Sequence, residues 1–147
     1  MVTEMDVLER LREKIVEGLS REFDGFRDDS ALIDFPDTDS MRRNLMVYIQ
    51  PDYEALEDLS VGTDLARMNA SVFILAKGAP NAELIKTVFR AYTAMYLMLR
   101  GDPTLGGFIS ETRITDMDYY PAVTASRTVV AIEAQAEMQW AKGFMED

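Results

Sequence analysis

Apolar residues recur at Met5, Leu8, Leu11, Ile15, Leu19 and Phe23, spacings of three and four that predict an amphipathic helix. Thr3, followed three positions later by Asp6, resembles a capping box for its start, and Gly25 lies just beyond its end. Glu9, Arg12, Glu13 and Glu17 fall on the opposite, solvated face.

From Asp24 to Arg43 the periodicity is lost among Asp28, Asp29, Ser30, Asp34, Pro36, Asp37, Thr38, Asp39 and Ser40, and a loop is expected. Leu32, Ile33 and Phe35 are expected to pin that loop to the domain. The run NLMVYIQP reads as a strand, with Leu45, Val47 and Ile49 on one face, Met46 and Tyr48 on the other, and Pro51 closing it. The acidic stretch PDYEALEDLSVGTD reads as turn-forming. Alternation then resumes: Ala66, Met68, Ala70, Val72, Ile74 and Ala76 are apolar, and Arg67, Asn69 and Ser71 between them are polar.

Pro80 suits the first turn of a second helix, in which Leu84, Ile85, Val88, Phe89, Tyr92, Met95, Tyr96 and Leu99 form a broad apolar stripe. Gly101 and Pro103 are expected to end it, with Gly101 left-handed and Gly106 and Gly107 reversing the chain. FISETRITDMDYYP favours strand through Ile109, Thr112, Ile114 and Tyr119, with imperfect alternation. The last strand alternates cleanly, with Thr128, Val130, Ile132, Ala134, Ala136, Met138 and Trp140 opposed to Glu133, Gln135, Glu137 and Gln139. The expected fold is α+β, with helices packed on one face of a mainly antiparallel four-stranded sheet in the order α-β-β-α-β-β. Residues 1–147 are expected to form a single domain, because no linker or internal repeat divides them.

Charge narrows the partners. Fifteen Lys and Arg against 26 Asp and Glu give a net charge of −11, which repels a phosphate backbone, so no nucleic acid is expected as a direct partner. No apolar run approaches the roughly 18 residues a spanning helix needs, so no membrane is expected either. The N-terminus is rich in Glu, Asp and Arg from Glu4 onward and lacks the apolar core of a secretory signal, and the chain is expected to stay where it is made.

Residue types narrow the chemistry. With no His and no Cys, the usual zinc sets, Cys-His pairs and the Ser-His-Asp triad are closed, and the reading is that the protein is not an enzyme. Asp37 with Asp39, and Asp116 with Asp118, alternate as in calcium loops, but neither pair extends into D-x-D-x-D-G with a distal Glu. The glycines of GDPTLGG match no phosphate-binding pattern. Tyr92, Tyr96, Tyr119, Tyr120 and Trp140 read as packing residues rather than base-stacking platforms. No catalytic, cofactor-binding or metal-ligating residue is therefore assigned. Ten methionines suit adaptable packing or an adaptable contact surface.

The stretch from LRGDPTLGGFISETRITDMDYYP to VVAIEAQAEMQW resembles the second half of tail terminator and related minor tail proteins of long-tailed bacteriophages. There the succession helix, D-P-T-L-G-G, strand, D-Y-x-P, strand recurs. The corresponding positions are Asp102, Pro103, Thr104, Leu105, Gly106 and Gly107, then Asp118 and Tyr119, with Pro121 displaced by one extra tyrosine. The segment from Gly25 to Arg43 has no counterpart in that pattern.

The resemblance implies a structural virion subunit, assembled in the host cytoplasm. It would form a homo-oligomeric, typically hexameric ring that caps the head-proximal end of the tail tube and helps join tail to head. Its partners would be the tail tube protein and the head-tail connector. Long strands would offer edges for neighbouring copies to extend, and an acidic ring would repel DNA passing through it. Two other readings stand beside it: a small-molecule or regulatory binding module of ferredoxin-like form, marked by a pocket, and an acidic nucleic-acid mimic, marked by clustered carboxylates.

Overall fold

A computed structural model describes residues 2–39, 41–60, 63–78, 81–121 and 128–143. Helix α1 spans Glu4–Glu22, and its capping box is formed: Thr3 Oγ1 accepts the Asp6 N–H at 3.2 Å, and the Asp6 carboxylate accepts the Thr3 N–H at 2.9 Å. Val7, Leu8, Leu11, Ile15 and Leu19 are buried, whereas Met5 is 54% exposed and lies outside the stripe.

A 3-10 turn at Asp28–Ser30 leads into strand β1 (Ala31–Ile33), which pairs in parallel with β2 (Leu45–Ser60). The sheet therefore has five strands, not four, in the spatial order β1-β2-β3-β5-β4. The extra strand is three residues long, too short for a two-residue period to show in sequence. Ile33 packs on the main core and Leu32 on the other sheet face, but Phe35 is 68% exposed and pins nothing.

Strand β2 pairs along its length with β3 (Thr63–Gly78), so the acidic stretch expected to turn is almost wholly strand. Residues 51–57 are exposed, and cross-strand hydrogen bonds to β3 rather than burial hold them extended. An irregularity between Pro51 and Tyr53 inserts Asp52, which breaks the alternation a sequence reading relies on.

Helix α2 spans Asn81–Gly101; Pro80 falls outside the described residues. Gly101 stays helical, and the left-handed positions come later, at Leu105, Gly106 and Gly107. Strand β4 (Glu111–Tyr120) starts two residues after Ile109, and a register shift between Ile114 and Asp116 explains its imperfect alternation. Strand β5 (Thr128–Gly143) lies between β3 and β4, antiparallel to both.

Both helices cover the same face. Leu8, Leu11 and Ile15 of α1 and Val88, Met95 and Leu99 of α2 share one core with Val47, Ile49, Val72, Ile74, Ile132, Ala134 and Trp140. Gly18 lets the helices approach: a methyl group there would meet the Met98 side chain at 3.2 Å. A smaller apolar cluster of Met41, Met46, Tyr48, Leu75 and Val129 occupies one end of the opposite face. Among the described residues no helix is long and apolar enough to cross a membrane.

Candidate assembly surfaces

The D-P-T-L-G-G motif builds the joint between α2 and β4. Asp102 Oδ1 accepts the Gly106 N–H and Thr104 Oγ1 accepts the Gly107 N–H, each at 2.9 Å. The Gly106 N–H, with Lys14 Nζ 3.3 Å from the other oxygen, holds the Asp102 carboxyl below its ordinary pKa. Leu105 has φ +53° yet is fully buried in the main core. The motif thus satisfies its own backbone and drives one leucine inward; it has the chemistry of a joint, not of a ligand site.

The expected aspartate pairs stand apart. Asp116 and Asp118 lie opposite Gln135 and Glu133 on the uncovered sheet face, and Asp37 Oδ1 accepts the Asp39 N–H at 3.0 Å in the loop before β2. Among the described residues no three His, Cys, Asp or Glu side chains converge as metal ligands. Trp140 is in the core, Tyr119 stacks on Phe89 with centroids 5.4 Å apart, and Tyr92 and Tyr96 tilt together on α2.

The uncovered face carries a polar network. A hydroxyl has one proton, so Ser71 donates to Asp52 Oδ2 at 2.8 Å in preference to Glu133 Oε2 at 3.2 Å. Gln135 Nε2 donates to Glu133 at 3.0 Å and to Ser71 Oγ at 2.8 Å. Arg113 pairs with Glu137 at 3.3 Å nearby.

Among the described residues two strand edges are open. On one side β1 covers β2 only between Val47 and Ile49; on the other, β4 is the last strand. Both edges are acidic: β2 carries Asp52, Glu54 and Glu57, and β4 carries Glu111, Asp116 and Asp118 against the single Arg113. Pairing one with the other would set like charges side by side.

The distal half of β2 also exposes large apolar groups, Tyr53 at 62% and Leu56 at 57%. At the opposite end of the same strand an open groove of about 550 Å³ lies between the helix ends and Leu45. Phe23, Phe26, Arg42, Arg43 and Arg90 line it. Arg43 forks onto Asp29 at 3.0 and 3.1 Å, and Arg90 lies over the Phe23 ring and hydrogen-bonds the Glu22 carbonyl. Arg42 is exposed and makes no hydrogen bond or ion pair with the other described residues. Sequence reading missed this groove because its arginines come from two segments about fifty positions apart that only the fold brings together. Comparison with protein-family models and with curated proteins gives no match for this sequence.

Proposed function

We propose that the protein is a structural ring subunit of the tail-terminator kind. In that role it caps the head-proximal end of a phage tail tube and helps join tail to head. The observation that carries the reading is the exposed distal half of β2, where Tyr53 and Leu56 stand in solvent on a strand extended past what its own domain buries. Tyr53 and Leu56 stand on opposite faces of the strand, and a second protein surface gripping that strand would bury them. The joint built by Asp102–Gly107 gives the resembling motif a structural purpose and leaves the sheet as the working part.

Within that role the overall charge of −11 favours a ring whose lumen does not grip passing DNA. Acidic borders also make simple edge-to-edge continuation of the sheet the less favourable way to join copies.

Sedimentation velocity and electron microscopy of the purified protein, alone and with isolated tail tubes, test the reading. Rings of uniform size, free or seated on one end of each tube, are the expected result. A protein that stays monomeric at millimolar concentration and leaves tube ends bare would overturn it.

A further inference from the structure

Resting on that ring reading, we infer that copies join head to tail, the distal half of β2 of one copy seating in the arginine-lined groove of the next.

The charges are complementary. The sequence has no Lys or Arg between Arg43 and Arg67, and Asp52, Glu54 and Glu57 lie in that interval. Glu57 pairs with Arg67 at 3.4 Å and Glu54 stands 3.6 Å from Lys142, while Asp52 accepts only from Ser71 among the described residues, so the exposed half of β2 keeps an acidic margin. The groove presents Arg42, Arg43 and Arg90. Asp29 and Glu22 pair with Arg43 and Arg90, while Arg42, whose charge also acts on Asp29, makes no hydrogen bond or ion pair among the described residues. In a chain of net charge −11, a groove with surplus positive charge is the surface an acidic segment meets with least repulsion.

The apolar parts match as well. Leu56 shares a strand face with Glu54 and is 57% exposed, while Phe23, Phe26 and Leu45 line the groove, the Phe23 ring under the Arg90 guanidinium. An aliphatic anchor flanked by carboxylates fits an aromatic floor flanked by guanidinium groups.

Geometry rules out the chain's own hairpin, and in the ring reading the occupant is a second copy. Leu45 borders the groove and Leu56 is the anchor, eleven residues along one continuous strand, or about 36 Å at strand rise. A hydrogen-bonded strand cannot fold back over that distance, so no chain satisfies its own groove. Each copy then offers a donor end and an acceptor end, a heterologous contact that closes into a ring when the rotation permits.

Two substitutions on exposed side chains test this. Leu56→Lys removes the anchor and opposes the arginines; Arg42→Glu reverses an exposed charge of the groove and opposes the acidic strand. Each variant should keep the unfolding midpoint that wild type shows when dilute enough to be monomeric, and lose ring formation, with the contact weakened about thirtyfold or more. Mixed one to one, they should yield a heterodimer that grows no further, because the intact strand of Arg42→Glu meets the intact groove of Leu56→Lys and the two remaining ends are both damaged. Added salt should loosen the wild-type contact.

Rings formed by both variants as by wild type would overturn this contact and leave the ring reading standing. Variants that lose rings but give no heterodimer on mixing would overturn the head-to-tail pairing. A wild-type protein monomeric at millimolar concentration would overturn the contact and the ring together.

Discussion

Lys142 Nζ lies 2.9 Å from Glu4 Oε1, so the end of β5 is tied to the first turn of α1 across 138 positions of sequence. Glu54 of β2 stands 3.6 Å from the same ammonium. The hydrogen bond from Lys142 holds Glu4 below its ordinary pKa and raises Lys142, whereas partial desolvation, then a hydrogen bond shared with Glu4 and the Glu4 charge, pushes Glu54 up.

The signs differ and so do the pH windows. Glu4 contributes stability that is present above its ordinary pKa and lost as pH falls through the lowered folded value. Lys142 contributes stability that is present below its ordinary pKa and lost as pH rises through the raised folded value. Glu54, raised, opposes folding while ionised and is relieved on protonation at a higher pH than Glu4. Urea unfolding followed from neutral to strongly acid pH should therefore show a shallow gain before the loss. Lys142→Met should remove most of the Glu4 part of that loss and lower neutral stability by about 1 kcal/mol or less, since the groups are partly exposed. Glu54→Gln should raise neutral stability by a few tenths, about 0.3 kcal/mol.

Leu105 makes an unusual comparison available. Its left-handed backbone costs an L residue about 1–2 kcal/mol, and its complete burial offsets that. Leu105→Ala keeps the strain and loses the burial, for about 2–5 kcal/mol. Leu105→Gly loses the same burial and relieves the strain. Chemical denaturation should rank the glycine variant above the alanine variant by about 0.5 kcal/mol, the reverse of the usual order. A glycine variant clearly less stable than the alanine one would show that the turn does not hold this backbone angle.

Strong periodicity made the helices, β3 and β5 legible: Leu8 to Leu19 and Val130 to Trp140 each lie on one buried face, as their spacing requires. The acidic half of β2 was not legible. Its residues are exposed on both faces, and Asp52 interrupts the register, so its strand character resides in pairing with β3 rather than in its own composition. Strand β1 was too short to register. Of the assembly surfaces, the exposed apolar pair Tyr53 and Leu56 looked like turn residues among acids, and the groove depends on Arg90 of α2 meeting Arg42 and Arg43 through the fold.

Thr112 is 3% exposed on the helix-covered face of β4, and its hydroxyl has no hydrogen-bond partner among the described residues. Valine has nearly the same shape, suits a strand, and carries no polar atom to leave unpaired. Thr112→Val should therefore raise stability by about 1 kcal/mol, or roughly 3 °C in melting temperature for a chain of this length. Calorimetry showing a lower melting temperature would mean that a bound water completes the hydroxyl's bonding.

No described strand pairs with the outer edge of β4, which presents Asp116 and Asp118 on its uncovered face beside a register shift at Ile114. Charge and irregularity both discourage another strand from adding there, and the two can be separated. Glu111→Thr combined with Asp118→Val removes two charges from that face and leaves the Asp116 carboxylate on the Met117 N–H at the register shift, so the unfolding free energy should change by no more than about 0.5 kcal/mol. If charge is the main guard, light scattering should reveal large, polydisperse assemblies that wild type does not form, and added salt should drive wild type a little way in the same direction. If the double variant keeps the wild-type size distribution, the register shift protects this edge by itself. The acidity of β4 would then carry no weight against edge-to-edge joining of copies, and the preference for the groove would rest on Arg42 and Leu56 alone.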